Sequence, residues 1–304
     1  MSDELYRMTA VEAVQRLARR EISPLDLVEV SAKRMAEVEP AVNAMPTLCI
    51  DRARDHARAL MAGKRREAEG EAGWLAGLPV SIKDLTDVAG VRTTYGSPIF
   101  ADHVPQKSHP LVERIERKGG IVMGKSNTPE FGAGGSTFNE VFGRTRNPWN
   151  TSLTCGGSTG GGAVSVATGE VWLAHGSDHG GSLRRPGTYC SVVGLRPSPG
   201  RVTRGTSNNL WSPQSVQGPM ARNVVTKGNA LTVFDLMTEP DLTPKKLWRD
   251  GRLQVWPGNR PAGKKEQQKQ RPNNKGPAQL EGSQCVKCGG ETDPHFYGKH
   301  FDLQ

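Results

Sequence analysis

The segment His109-Pro-Leu-Val-Glu-Arg-Ile-Glu-Arg-Lys-Gly-Gly-Ile-Val-Met123 decides the fold class. Its apolar residues recur with a helical period as far as Lys118, and the glycine pair that follows is typical of a helix end. The apolar run Ile121–Met123 then predicts a strand, and upstream Leu78–Ile82 predicts another, buried one. Strand, helix and strand at this spacing predict a parallel or mixed sheet with right-handed crossovers.

The same alternation continues on both sides of this segment. A Thr-x-x-Glu capping box at Thr9–Glu12 starts one helix, and a Ser-Pro pair at Ser23–Pro24 starts another that is expected to run until Pro40. Further elements are predicted as helices over 51–61 and 163–169 and a strand over 171–174. Residues 1–240 are therefore expected to form an α/β domain.

The composition restricts the class of protein. The chain has 304 residues, with 40 Lys and Arg against 31 Asp and Glu and a formal net charge of +9. No apolar run approaches the roughly 18 to 20 residues of a membrane span, and the acidic start Met1–Met8 lacks the apolar region of a secretory signal. Five scattered cysteines argue against a disulfide scaffold and for a reducing compartment. We therefore expect a cytoplasmic protein with no membrane partner.

The composition changes near residue 240. Residues 241–304 carry 12 Lys and Arg against 7 Asp and Glu, and the stretch 257–284 has almost no apolar residue. Such a stretch cannot bury enough surface to offset the entropy of ordering. We predict a basic, disordered extension over 241–304.

A glycine-rich stretch, Thr154–Gly162, is the densest candidate for a functional loop. It satisfies neither the GxGxxG pattern of dinucleotide loops nor the Gly-Lys-Ser/Thr ending of a phosphate loop. It contains the GxSxG spelling of a nucleophile elbow around Ser158, but the preceding residues read as loop where that motif requires a strand. None of these three motifs identifies the chemistry by itself.

Two more features stand near this stretch. Ser182 follows two glycines, so consecutive backbone N–H groups could converge beside its hydroxyl as an oxyanion hole. Lys83 ends the apolar run of a predicted strand, where a lysine is exceptional unless it is paired or functional. Taken singly, Ser158 and Ser182 could instead be helix N-caps, and Lys83 a solvated residue whose stem covers apolar surface.

Together these stretches resemble the amidase signature family, in order and spacing, over roughly residues 7–225. The motifs that carry the resemblance are Gly77–Leu85, Gly124–Gly132, Cys155–Gly161, Gly176–Arg184 and Val193–Arg201. The resemblance implies an α/β amidase-signature fold with a central mixed β-sheet flanked by helices. It also implies amide hydrolysis by a Ser–cis-Ser–Lys triad.

The resemblance assigns roles by position. Ser182 becomes the nucleophile, Ser158 the bridging serine after a cis peptide bond, and Lys83 the base. A lysine can act as a base only when neutral, which burial beside apolar residues favours. The backbone of His179, Gly180 and Gly181 is expected to hold the oxyanion. Supporting roles fall to Thr159, Asp178 and Arg184, the last two as a pair that braces the loop.

The expected function is hydrolysis of a small-molecule carboxylic amide to an acid plus ammonia or an amine, with no cofactor. The family alternative is the glutaminase subunit of a tRNA-dependent amidotransferase. The resemblance fades after Met220–Val224, and the family's pocket-forming second half is then absent or replaced. A catalytically idle truncated form or a partner-binding protein is therefore a further alternative, and a homo-oligomer stays open.

The basic extension offers a rival of a different class. Cys285, Cys288, His295 and His300 are four residues of the kind that bind structural zinc. The six residues between Cys288 and His295 are fewer than a ββα finger uses. With the basic run before them, these residues could form a small zinc module near nucleic acid. The spacing favours accidental cysteines instead, so we expect neither a metal nor a nucleic-acid partner.

Overall fold

The computed structural model describes residues 5–205, 214–223, 248–249 and 252–253. The chain divides into two units, residues 1–246 and 247–304. In the described residues of the first unit the helices are α1 (Ala10–Ala18), α2 (Pro24–Val42), α3 (Ile50–Met61), α4 (Pro110–Arg117), α5 (Gly160–Ala167) and α6 (Arg184–Cys190). Its strands are β1 (Thr47–Leu48), β2 (Pro79–Lys83), β3 (Ile121–Ser126), β4 (Phe138–Asn139), β5 (Gly143–Arg144), β6 (Leu173–Asp178), β7 (Val193–Gly194) and β8 (Val216–Ala221).

The second unit is described only at β9 (Trp248–Arg249) and β10 (Arg252–Leu253), which pair antiparallel. The rest of the predicted extension 241–304 lies outside the described residues. Across the part of the chain that is described, no helix is long and apolar enough to cross a membrane.

Six strands form the central sheet, in the order β1-β3-β2-β6-β8-β7. The inner strands β3, β2 and β6 are parallel, whereas β1, β8 and β7 pair antiparallel with their neighbours. The prediction of a mixed sheet flanked by helices is confirmed. Strands β2 and β6 each extend beyond the predicted apolar runs, to Lys83 and Asp178. Because parallel strands place their carboxyl ends at one edge, polar side chains from both strands meet there.

The local signals at the first helices are confirmed with one correction. The Thr9 hydroxyl accepts from the backbone N–H of Glu12, and α2 begins with a reciprocal capping box. The expected end of α2 at Pro40 is wrong, because the helix continues to Val42. Its last turn is closed by the left-handed Asn43, whose N–H donates to the Glu39 carbonyl, so one proline near the end is tolerated.

Helix α5 packs its first turn closely against neighbouring backbone. A Cβ on Gly161 would lie 2.3 Å from the Asn127 nitrogen and 2.5 Å from the Ala44 carbonyl oxygen. Only glycine permits this approach. The helix also contacts β2, β3 and β6. The glycine-rich stretch thus brings Ser158, just before α5, to the carboxyl end of β2.

Candidate active site

Lys83 is the last residue of β2 and is fully buried. Its Nζ lies 2.7 Å from Ser158 Oγ, 3.0 Å from Thr159 Oγ1 and 3.1 Å from Ser177 Oγ. Burial lowers the pKa of Lys83 from 10.5 to about 7, against the opposing attraction of Asp178. The reading of Lys83 as a solvated strand-end residue is therefore wrong.

Ser158 belongs to the glycine-rich stretch Thr154–Gly162 and has 3% of its surface exposed. The peptide bond between Gly157 and Ser158 is cis, as the family resemblance implies. Loop 134–136 packs against Gly157, where a Cβ would lie 3.1 Å from the Gly134 carbonyl oxygen. Ser158 is not a helix cap, because Thr159 occupies the N-cap position of α5.

Ser182 lies in the loop between β6 and α6 and is 7% exposed. Its carbonyl oxygen accepts from the Thr159 backbone N–H at 3.2 Å, which holds the two serine-bearing loops together. Leu183, and not Ser182, is the N-cap residue of α6, so the capping alternative is wrong here too. No hydrogen bond joins the hydroxyls of Ser158 and Ser182 in the described structure.

Asp178 organises the loop that carries Ser182. Its carboxylate accepts from the backbone N–H groups of Gly181 and Leu183 at 3.0 and 3.1 Å. Arg184 donates two hydrogen bonds to it, at 3.0 and 3.1 Å, which confirms the expected pair, and Arg196 adds one at 2.9 Å. Although burial alone would favour the neutral acid, these donors hold the pKa of Asp178 well below its usual range.

Of the three expected oxyanion donors, only the Gly181 N–H has a protein acceptor among the described residues. The Gly181 N–H already donates to Asp178, and Gly181 has a φ of +107°, which favours glycine. Among the described residues, the backbone N–H groups of His179 and Gly180 donate to no protein acceptor. Both residues are exposed, and the oxyanion role of their N–H groups stays a prediction.

The sequence interpretation missed Ser177 and Lys125. Ser177 supplies the third hydroxyl around the Lys83 amine, and its position one residue before Asp178 on β6 was the signal that could have found it. Lys125 forms a fully buried ion pair with Asp84 at 3.2 Å. Both residues lie in motifs that carry the family resemblance, but only the register of their strands shows which side chains meet.

The zinc hypothesis stays a prediction, since Cys285, Cys288, His295 and His300 lie outside the described residues. Within the described ranges, no group of three or more His, Cys, Asp or Glu side chains is arranged to hold a metal ion.

Comparisons with known proteins point to one family. The profile of the Amidase family matches residues 26–269. A glutamyl-tRNA(Gln) amidotransferase subunit of Roseiflexus castenholzii is 43% identical over 220 residues, covering 72% of this chain and 44% of the relative. The chain spans about half the length of the curated relatives it matches.

Solved structures show the same fold. A bacterial aryl acylamidase of the amidase signature enzymes superposes with a TM-score of 0.69 at 32% identity, covering 77% of this chain and 48% of that one. A 6-aminohexanoate cyclic dimer hydrolase complexed with substrate gives a TM-score of 0.68 at 28% identity, covering 78% and 47%. Since the family profile spans most of the chain and the relatives share its fold, the chain belongs to the amidase signature family.

Proposed function

We propose that this protein hydrolyses a carboxylic amide to an acid plus ammonia or an amine through an acyl-Ser182 intermediate. The observation that carries the proposal is the fully buried Lys83 amine, 2.7 Å from Ser158 Oγ, with a pKa lowered to about 7. An amine that is neutral near pH 7 can accept a proton, which an ordinary lysine cannot. Family membership supports the reaction class.

In the proposed reaction Ser182 Oγ attacks the amide carbon while its proton passes to Ser158 Oγ. The Ser158 proton moves in turn to Lys83 Nζ. The developing oxyanion accepts from the N–H groups of His179 and Gly180. The proton then returns through Ser158 to the departing nitrogen, and the C–N bond breaks. Water then attacks the acyl ester and gives its proton through Ser158 to Lys83. The bond between the acyl carbon and Ser182 Oγ breaks, Ser182 Oγ takes the proton back through Ser158, and the acid is released.

The hydrogen bonds around Lys83 support this direction of transfer. The Thr159 hydroxyl donates to the Ser177 carbonyl at 3.1 Å, so its oxygen is left to accept from Lys83. A neutral amine has two hydrogens and one lone pair, which suits two accepting hydroxyls and one donating hydroxyl. Ser158, at the shortest distance, is the partner that can donate. The link from Ser158 to Ser182 would form with substrate, since catalytic hydrogen bonds often tighten only in the complex.

The proposal extends to the organisation of the chain. Residues 1–240 would be the catalytic domain and 241–304 a separate basic extension, in a cytoplasmic enzyme. The substrate is an open-chain amide in this proposal, although the matched structures include a cyclic dimer hydrolase.

A second candidate is the glutaminase subunit of a tRNA-dependent amidotransferase. The curated relatives are named as subunits of a glutamyl-tRNA(Gln) amidotransferase, and they match 72% to 76% of this chain. Such a subunit would be isolated together with partner subunits, whereas the amidase would act without them. Affinity purification of the full chain from its native host, followed by identification of stoichiometric partners, separates the two.

Labelling with a serine-directed fluorophosphonate tests the proposal. The wild-type chain is expected to be labelled once, and Ser182→Ala and Lys83→Ala to remain unlabelled while folded by circular dichroism. The surface variant Ser152→Ala serves as the matched control, since the bonds of Ser152 within the described residues stay in its own turn. Labelling of Ser182→Ala at the wild-type rate would refute the assignment. Absence of labelling in folded wild type would favour the idle or partner-binding form.

A further inference from the structure

Glu170 is a buried acid that the proposed reaction does not use. It lies in the turn between α5 and β6 and has none of its surface exposed. The Thr168 hydroxyl lies 2.6 Å from its Oε1, and within the described part of the chain no N–H or O–H group donates to its Oε2. The Glu39 carboxyl group of α2 is its other hydrogen-bonding neighbour. An ionised carboxylate with so few donors would be costly to bury.

The two carboxyl groups of this pair have different surroundings. Glu39 is partly exposed, and its Oε1 accepts from the backbone N–H groups of Ala44 and Met45, both at 2.9 Å. Backbone donors favour the charged form of a carboxyl group. Two adjacent carboxylates disfavour each other's charge, so one proton is held between them. Glu170 is the group that keeps it, since burial and the neighbouring Glu39 raise the pKa of Glu170 well above its usual value.

The other charged groups around Glu170 do not replace this proton. Arg34 on α2 attracts the carboxyl group without a hydrogen bond to it, and is itself paired with Glu37 at 3.1 Å. Arg222, which directly follows β8, and the Tyr6 ring lie against the residue before Glu170. Neither of them bonds to the acid in the described structure. Glu170 therefore needs its own proton to bind Glu39.

The carboxyl pair joins α2 to both ends of α5. Glu39 holds Ala44 through its backbone N–H, and the Ala44 carbonyl oxygen lies 2.5 Å from where a Cβ on Gly161 would be, in the first turn of α5. Glu170 lies just beyond the other end of the same helix. The pair thus ties α2 to the helix that directly follows Ser158.

We propose that Glu170 and Glu39 share one proton and form a pH switch between α2 and α5, which is closed at neutral pH and opens when the proton is lost in alkaline solution. Once Glu170 ionises, two adjacent carboxylates repel each other and the buried one has too few donors. The raised pKa means that the folded chain binds this proton more tightly than the unfolded chain does. The contribution of the pair to stability is therefore complete below the ordinary glutamate pKa of about 4.3, and it is lost as the pH rises through the raised pKa of Glu170.

Urea unfolding of the full-length chain from about pH 5 to about pH 9 tests the switch. In Glu170→Gln the amide can accept from Thr168 and donate to Glu39, but it has no proton to lose. The unfolding constant of wild type, divided by that of Glu170→Gln, is expected to rise by up to about tenfold per pH unit until Glu170 ionises in the folded state.

Two further variants serve as controls for this ratio. Glu67→Gln removes an exposed carboxylate from the loop after α3 and should keep the pH dependence of wild type. Glu39→Gln removes the repulsion but keeps an oxygen that can accept from Ala44 and Met45, so the rise should end at a lower pH.

A ratio that does not change with pH would overturn the proposal, because Glu170 would then carry the same charge in the folded and unfolded chain. If Glu170→Gln does not fold, infrared spectroscopy of wild type at about pH 8 decides the matter, since ordinary Asp and Glu side chains are ionised there. The carbonyl band of a protonated carboxyl group is expected, and its absence would refute the shared proton. Neither measurement depends on Ser182, so a negative result leaves the proposed function standing.

Discussion

Two buried lysines lie near the carboxyl ends of neighbouring strands, Lys83 on β2 and Lys125 on β3, yet their surroundings differ. Both are fully buried. Lys125 has a carboxylate partner, Asp84, at 3.2 Å, whereas Lys83 contacts three hydroxyl groups. Burial lowers the pKa of both amines, and at Lys125 the Asp84 carboxylate opposes the shift. A buried ammonium is stable beside an anion, while hydroxyls alone leave the neutral amine favoured.

The comparison distinguishes Lys83, the proposed base, from Lys125, whose ion pair with Asp84 acts as a structural anchor. Asp84 also accepts from the backbone and hydroxyl of Thr94, at 3.1 and 2.6 Å, and Lys125 donates to Thr93 at 2.6 Å. The ion pair therefore fixes the chain after β2, directly beyond Lys83. Lys125 is placed to hold structure, whereas Lys83 accepts the proton in the reaction that we propose.

Replacing Lys83 should have the largest effect. Lys83→Met keeps an unbranched apolar side chain in the cavity and removes the base, so labelling of Ser182 is expected to slow by about a thousandfold. Lys125→Met is the matched variant at the other lysine, and it should reduce the labelling rate much less per folded molecule. Rates would be normalised to the folded fraction from circular dichroism. Equal losses for the two variants would erase the distinction between base and anchor.

The pH dependence of labelling should follow the Lys83 amine. Its pKa is lowered to about 7, so the base is protonated and inactive below that pH and neutral above it. The rate is therefore expected to rise about tenfold per pH unit in the acid limb and to level off above about pH 7. Stopped labelling assays from about pH 5 to pH 9 would measure this profile. A midpoint above about pH 9 would mean that the amine is not perturbed.

Breaking the ion pair between Asp84 and Lys125 should lower the stability of the fold more than the labelling rate per folded molecule. Asp84→Asn leaves the Lys125 ammonium buried without an anion, and the free energy of unfolding is expected to fall by about 3–5 kcal/mol. Urea unfolding followed by fluorescence would measure it. The double variant Asp84→Asn/Lys125→Met removes both charges and should recover much of the loss. If the double variant is less stable than the single one, the cost does not come from an uncompensated charge.

The sequence predicted what depends on local pattern. The capping box at Thr9, the helix between Pro110 and Lys118 and the apolar strand cores follow from period and capping. The resemblance singled out Lys83, Ser158 and Ser182, whose catalytic roles stay predictions. It missed contacts made across the sheet. The pairing of Lys125 with Asp84 depends on which strand ends meet, and that register is set by tertiary packing.

The same limit applies around Asp178 and at α2. Arg184 and Arg196 both donate to Asp178 from different parts of the chain. Only Arg184 is near enough in sequence for the local pattern to predict its pairing. Pro40 was expected to end its helix because proline lacks an N–H donor. The helix continues because the chain closes its last turn through Asn43. The tendency of proline to end a helix is thus overridden by the hydrogen bond from Asn43 to Glu39, which the sequence pattern does not predict.

The smallest predicted effect concerns the third hydroxyl around the base. Ser177 Oγ, at 3.1 Å, can accept a hydrogen from either form of the amine, but the ammonium gains more from it. Ser177→Ala should therefore favour neutral Lys83 and shift the midpoint of the labelling profile to lower pH. One lost charge-assisted hydrogen bond of about 1 kcal/mol corresponds to a shift of roughly 0.7 pH unit. The control Thr159→Ser keeps the hydroxyl that accepts from Lys83 and should leave the midpoint of the labelling profile unchanged. A shift to higher pH in Ser177→Ala would mean that Ser177 supports the neutral amine, and the hydroxyls around Lys83 would then act in the opposite sense to the carboxylate at Lys125.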